Sequence, residues 1–93
     1  MAKLHFPGLD SEAARWLVAN RSISAIGLDT ASIDFGQSTH FESHQALFAA
    51  DIPAFENLTN LHRLPATGFV VIALPMKIAG GSGGPVRVAA IIP

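Results

Sequence analysis

The chain has 93 residues, a formal net charge of −1, 49% hydrophobic and only 14% charged residues, and no cysteine. Typical soluble domains carry about 25% charged residues, and a chain this short has a large surface to cover. The balance excludes several classes of function. No basic run is present to neutralise phosphates, so nucleic acid is not an expected partner. Without cysteine there are no disulfides and no thiolate chemistry, and the redox compartment cannot be read. No segment reaches the roughly 18 uninterrupted apolar residues of a membrane span, and "MAKLHFPGLD" lacks the apolar core of a signal peptide, so a cytoplasmic protein is expected. The length predicts a single domain over residues 1–93. The apolar excess predicts that part of the surface is covered by another subunit, hence a homo-oligomer.

Residues 1–9 read as a loop punctuated by Pro7-Gly8. Asp10 or Ser11 can cap the helix that follows, and Glu12 sits where a helix N-terminus favours negative charge. Ala13, Ala14, Trp16, Leu17 and Val18 supply its apolar stripe, and Asn20-Arg21 fit its end. A short buried strand is predicted from Ser24 to Leu28. "TASIDFGQSTH" then reads as a polar loop at the C-terminal end of that strand. A second helix is predicted from Phe41 to Ala50, ended by Pro53, which favours extended structure. Leu58, Leu61 and Leu64 recur at three-residue spacing and predict a helical turn or two. "GFVVIALPMKI" is a near-continuous apolar run, the pattern of a strand buried on both faces, with Pro75 marking an edge or bulge near its end. The glycine-rich "AGGSGGP" joins it to a last strand, "VRVAAIIP", most simply as an antiparallel hairpin. The fold class is α/β: a small mixed, partly antiparallel sheet with one or two packed helices.

Few residues carry chemistry in a specific pattern. "AGGSGGP" is not followed by Lys-Ser/Thr and precedes a strand rather than a helix, so it reads as a hairpin loop and not as a phosphate cradle. Asp29, Ser32 and Asp34 lie in a loop of the kind that holds ligands in α/β sheets. They form no nucleophile elbow, and turn hydrogen bonds explain them more simply. His5, His40 and His62 sit near loops or among polar neighbours and read as solvated or turn-bonding side chains. His44 differs. On a helix it shares a face with Phe41, Leu47 and Phe48, so it is expected to point inward. Glu56 alternates with Ile52 and Ala54 and falls on an inward-facing row if that stretch is extended. A buried carboxylate is costly unless paired, hydrogen-bonded or metal-bound. The two side chains therefore read either as a structural pair or as two metal ligands, fewer than the three protein ligands a catalytic zinc takes.

"AIGLDTASIDFGQSTHFESHQALFAADIPAFENLTNL", "FVVIALPMKIAGGSGGPVRVAAIIP" and the earlier "FPGLDSEAARWL" together resemble the C-terminal part of the metal-dependent cyclase family, the group of bacterial kynurenine formamidase and isatin hydrolase. The markers are G-[IL]-D-T-x-S-x-D, a His followed twelve residues later by Glu in an I-x-x-x-E-N-L context, and L-P-x-K-x-x-G-x-x-G-x-P-V-R. The resemblance implies an α/β fold and hydrolysis of amide bonds in small N-acyl or cyclic substrates with zinc or manganese. It also implies that His44 and Glu56 descend from metal ligands, with the Asp29 to Asp34 loop as a neighbouring wall. The family's H-x-G-T-H-x-D-x-P-x-H motif, which supplies the other ligands and the catalytic histidine, does not occur in this sequence. The expectation for the chain alone is therefore an inactive, oligomeric binding or interaction module, with a small-molecule ligand as one partner class. The alternative is a metal-dependent hydrolase subunit completed by a separate chain that carries the N-terminal half.

Overall fold

The computed structural model describes residues 5–93, which fall into two compact units, the first running to Thr59 and the second Asn60–Pro93. Helix α1 spans Ser11–Asn20, strand β1 Ile26–Gly27, helix α2 Glu42–Ala49 and strand β2 Ala54–Phe55; in the second unit a 3-10 turn at Leu61–Arg63 precedes strands β3, Val70–Pro75, and β4, Val86–Ile91. The strands form two separate two-stranded sheets, β1 with β2 in parallel and β3 with β4 antiparallel. No helix among the described residues is long and apolar enough to cross a membrane.

In the first unit, β1, α2 and β2 make one parallel crossover. Ile26 N–H donates to the Pro53 carbonyl and Leu28 N–H to that of Phe55, both at 3.0 Å. The pairing continues past the strands, where Asn57 N–H donates to Thr30 O at 2.8 Å and Leu58 N–H to Leu28 O at 3.0 Å. Beneath this ladder the buried core is Ala14 of α1, Ile33, Leu47 of α2 and Ile52, flanked by partly buried Leu9, Val18, Ile26, Leu28 and Ala54.

Each helix ends for a local reason. At α1, the Arg21 N–H closes onto Leu17 O at 2.9 Å, and its guanidinium lies 4.6 Å over the Trp16 ring. Asp10 occupies the N-cap position, yet its side chain makes no capping bond, so the capping expected of it is absent. Helix α2 stops before Pro53 is reached. Asp51 adopts φ 60°, Ile52 N–H reaches back to Leu47 O and Asp51 N–H to Phe48 O, each at 3.0 Å. This is the paired closure of a Schellman end, with Ile52 packed on Leu47 as its apolar contact.

The second unit holds the expected hairpin, in the register Val70↔Ile91 through Pro75↔Val86. One expectation fails there. The "FVVIAL" run was expected to be buried on both faces, but Val70, Val71, Ile72 and Leu74 are all exposed. A two-stranded sheet supplies no further layer to cover them.

One close approach anchors the first unit. The segment before α1 lies along residues 33–36, with Leu9 N–H donating to Ile33 O at 2.7 Å and Gly36 N–H to Phe6 O at 3.0 Å. A side chain at Gly8 would press on the backbone of Ile33 to Phe35, with its Cβ 2.6 Å from the Ile33 carbonyl oxygen. Backbone cannot swing aside as a side-chain tip can. Gly8→Ala is therefore expected to lower stability by about 1–3 kcal/mol, whereas Gly83→Ala, where nothing lies within 4 Å, changes it little. Urea denaturation of the two variants reads the difference; equal midpoints would show that the segment is not docked.

Candidate functional site

The crossover brings three ionisable side chains into one line. Asp34 comes from the loop between β1 and α2, His44 from the first turns of α2, and Glu56 from the residue after β2. His44 Nδ1 lies 2.7 Å from Asp34 Oδ2, and its Nε2 lies 2.9 Å from Glu56 Oε1. One imidazole is thus held between two carboxylates.

Asp34 is the fixed end. It is 4% exposed and accepts three hydrogen bonds: Ser43 N–H to Oδ1 at 2.9 Å, His44 N–H to Oδ2 at 3.1 Å, and the imidazole contact. The two backbone donors belong to the first turn of α2, whose N–H groups have no partner within the helix. Asp34 therefore caps α2 from eight residues before its first residue, a role the N-cap residue Phe41 does not fill. Burial alone would raise the Asp34 carboxyl's affinity for a proton. The Ser43 N–H, the His44 imidazole and the His44 N–H outweigh it and hold the carboxyl below its ordinary value of 3.8. Ser43, fully buried, donates its hydroxyl to Leu9 O at 2.6 Å and ties the same turn to the segment before α1.

His44 is only partly buried, with its side chain 20% exposed, and Glu56 is 29% exposed. The face expected to turn inward splits in two. Leu47 is buried, while Phe41 and Phe48 stay about half exposed and set their rings edge-on to the imidazole at 5.9 and 5.3 Å. Phe41 sits at φ 51°, ψ 48°, a region costly for an aromatic residue. Its N–H is held by the Ser38 hydroxyl at 3.2 Å.

The donor count at His44 decides what this arrangement can do. A neutral imidazole carries one N–H. It can donate to Asp34 or to Glu56 and must meet the other carboxylate with a lone pair. Both contacts become favourable when positive charge, either a second proton or a metal ion, lies at the imidazole. With the N–H on Nδ1 facing Asp34, the Nε2 lone pair and the Glu56 carboxylate are the donor types that zinc or manganese accepts. The buried carboxylate behind the ring is the usual orienting partner of a ligating histidine. The donor set fits part of a metal site. It is not a complete one, because the two carboxylates lie at opposite ends of the ring, and among the described residues no group of three or more ligating side chains converges.

The other candidates lie apart. His5 accepts from Gln37 Nε2 at 3.0 Å, His40 offers its backbone carbonyl to Gln45 Nε2 at 2.6 Å, and His62 sits in the 3-10 turn of the second unit. Asp29 is exposed, and Ser32 is engaged through its carbonyl by Thr30 Oγ1 at 2.8 Å. A cavity of ≈ 440 Å³ lined by Arg15, Val18, Glu42, Gln45 and Ala46 contains none of the three aligned residues. By helical spacing its α2 residues lie across the helix from His44.

Because the fold favours the ionised Asp34, its contribution is complete above the ordinary carboxylate value and is lost as the pH falls through the lower folded-state value. Asp34→Ala is expected to cost about 1–3 kcal/mol near neutral pH. The gap in urea midpoint from the parent should shrink over the acid range below the ordinary carboxylate value of 3.8. A gap that stays constant over this range would show that the charge on Asp34 contributes nothing.

The fold has known counterparts. Residues 1–35 match the family model Cyclase. The isatin hydrolase of Roseibium aggregatum is 32% identical over 96% of this chain, which corresponds to 35% of that protein. The kynurenine formamidase of Sphingopyxis alaskensis is 42% identical over 70% of this chain and 31% of its own length. In three dimensions, isatin hydrolase A from Ralstonia solanacearum superposes with a TM-score of 0.88 at 36% identity, over 96% of this chain and 35% of that one. The chain thus spans about a third of the length of the relatives it matches, and on sequence and structure together it belongs to the cyclase family.

Proposed function

We propose that this chain supplies one part of a cyclase-type, metal-dependent hydrolase centre: two metal ligands, His44 and Glu56, and the residue that orients one of them, Asp34. The observation that carries this reading is the imidazole held between two carboxylates, with Nε2 and Glu56 Oε1 facing each other at 2.9 Å. Asp34 selects the tautomer. By accepting the Nδ1 proton it leaves the Nε2 lone pair pointing toward Glu56, and its own position is fixed by two backbone donors. The edges of Phe41 and Phe48 limit rotation of the ring. A zinc or manganese ion, when bound, would acidify a coordinated water and polarise an amide carbonyl. The substrates that fit the family are small amides or cyclic amides.

Two ligands fall short of the three that a catalytic zinc takes, so hydrolysis needs ligands beyond this pair. A second reading, an inactive oligomeric interaction module in which His44 and Glu56 are a leftover polar pair, is favoured by one observation, the exposed aliphatic hairpin of the second unit.

Metal titration separates the two. Zn²⁺ or Mn²⁺ added to the metal-free protein and followed by calorimetry is expected to bind stoichiometrically. Binding is lost in His44→Ala and in Glu56→Ala, and weakened about 10–100-fold in Asp34→Asn. Absence of binding, or binding that persists in both alanine variants, leaves the interaction module as the function.

A further inference from the structure

The β3–β4 hairpin has the surface chemistry of an internal piece of a larger fold. Its register places Val70, Ile72 and Leu74 on one face with Ile91, Ala89 and Arg87, and Val71, Ala73 and Pro75 on the other with Ala90, Val88 and Val86. Paired residues share a face, so both faces are apolar and Arg87 is the only charge. A sheet with one solvated face alternates apolar with polar residues; this one does not. Leu74 is 71% exposed, and Val70 and Ile91 are each 59% exposed.

The edges make the same point. With two strands, each has one edge of unpaired N–H and C=O groups. Of the residue types that natural proteins use to block further pairing, these edges carry only Pro75 at one end of β3 and Arg87 in β4. Two apolar faces and two open edges need an occupant that supplies both strands and covering layers. A second copy of the hairpin, stacked by two-fold symmetry, covers one face and leaves the other. Set side by side, it closes one edge and leaves both faces open.

The solved relatives indicate what kind of polypeptide has the right parts. The match to isatin hydrolase A covers 96% of this chain, which leaves too few residues outside it to omit the hairpin, yet this is 35% of that protein. There the matching hairpin belongs to a fold almost three times as long. We propose that the β3–β4 hairpin is a docking surface for a second, non-identical polypeptide of cyclase type, one equivalent to the part of the fold that this chain does not match. That partner adds strands at the hairpin's edges and packs apolar side chains on both of its faces. The inference rests on the hairpin and not on the metal ligands, so metal titration and partner binding can succeed or fail separately.

The test is co-expression of the full chain with a defined probe, the Ralstonia solanacearum isatin hydrolase A polypeptide from which the segment matching this chain has been deleted. The expected result is a soluble complex with one copy of each, by light scattering. Ile72→Lys and Leu74→Lys each reduce the co-purified probe at least about tenfold, the size of a 1.4 kcal/mol change in binding. Both side chains are exposed, so the variants should keep the helical circular dichroism of the parent. Trp16→Ala, an exposed apolar change in the first unit, leaves the yield of complex unchanged. The proposal is overturned if the probe is soluble but does not co-purify, if it stays insoluble with or without the chain, or if the lysine variants bind as well as the parent. It is equally overturned if the chain alone forms a stable oligomer that the lysine variants dissociate, which would make the occupant a second copy.

Discussion

The carboxylate of Asp34 is the interaction on which the first unit depends. Removing it from water is unfavourable, and it stays ionised because three donors converge on it, two of them backbone N–H groups of the first turn of α2. Those groups would otherwise be unsatisfied in a buried place, since Ser43 is fully buried. Each side thus removes the other's penalty. The positive end of the helix dipole adds to the attraction. Because Ser43 also bonds to Leu9, and Leu9 to Ile33, one turn of helix fixes the loop and the segment before α1 together.

His44 inherits its geometry from that arrangement. Its own N–H and its ring are both bonded to Asp34, so the imidazole cannot turn without loosening the cap of its helix. Glu56 is set independently, by the parallel pairing of β2 with β1 and by the left-handed turn at Asn57, φ 57°, whose N–H bonds to Thr30. Two rigid elements from one crossover therefore present an imidazole nitrogen and a carboxylate oxygen to each other. Groups held by their scaffold lose little freedom on binding, which separates a preorganised pair from two side chains that happen to meet.

The sequence revealed this site unevenly. Periodicity and strand alternation put His44 and Glu56 on inward rows, the family resemblance accounts for their twelve-residue spacing, and the structure sets Nε2 2.9 Å from Glu56 Oε1. Asp34 was not. It reads as a turn residue, and nothing local in "SID" shows that its carboxylate reaches a helix beginning eight residues later. Its cue was an absence, the lack of a capping side chain at Phe41. Phe41 and Phe48 were misplaced because periodicity assigns a face and cannot say where the core ends. Here the core follows Leu47 and leaves the two rings beside the histidine. The helices and the antiparallel hairpin followed from pattern, whereas β1 and β2, at two residues each, are too short to show a period.

The apolar excess of the composition has a location that the percentage alone concealed. The buried hydrophobic residues are few, Ala14, Ile33, Leu47 and Ile52 among the described residues, and all lie in the first unit. Most of the large exposed aliphatics, Val70, Val71, Ile72, Leu74, Ile78, Ile91 and Ile92, lie in the second. The apolar excess is therefore concentrated on the surface of the second unit rather than in an enlarged core. A strand pattern written for burial on both faces is evidence about the environment the strand was selected in. An isolated two-stranded hairpin is marginal in water, so the same residues that leave it uncovered give it the strongest reason to be covered. The two units thus differ in what they leave unmet: the first pairs its polar groups with one another, as Asp34, His44 and Glu56 do, and the second leaves an apolar sheet uncovered.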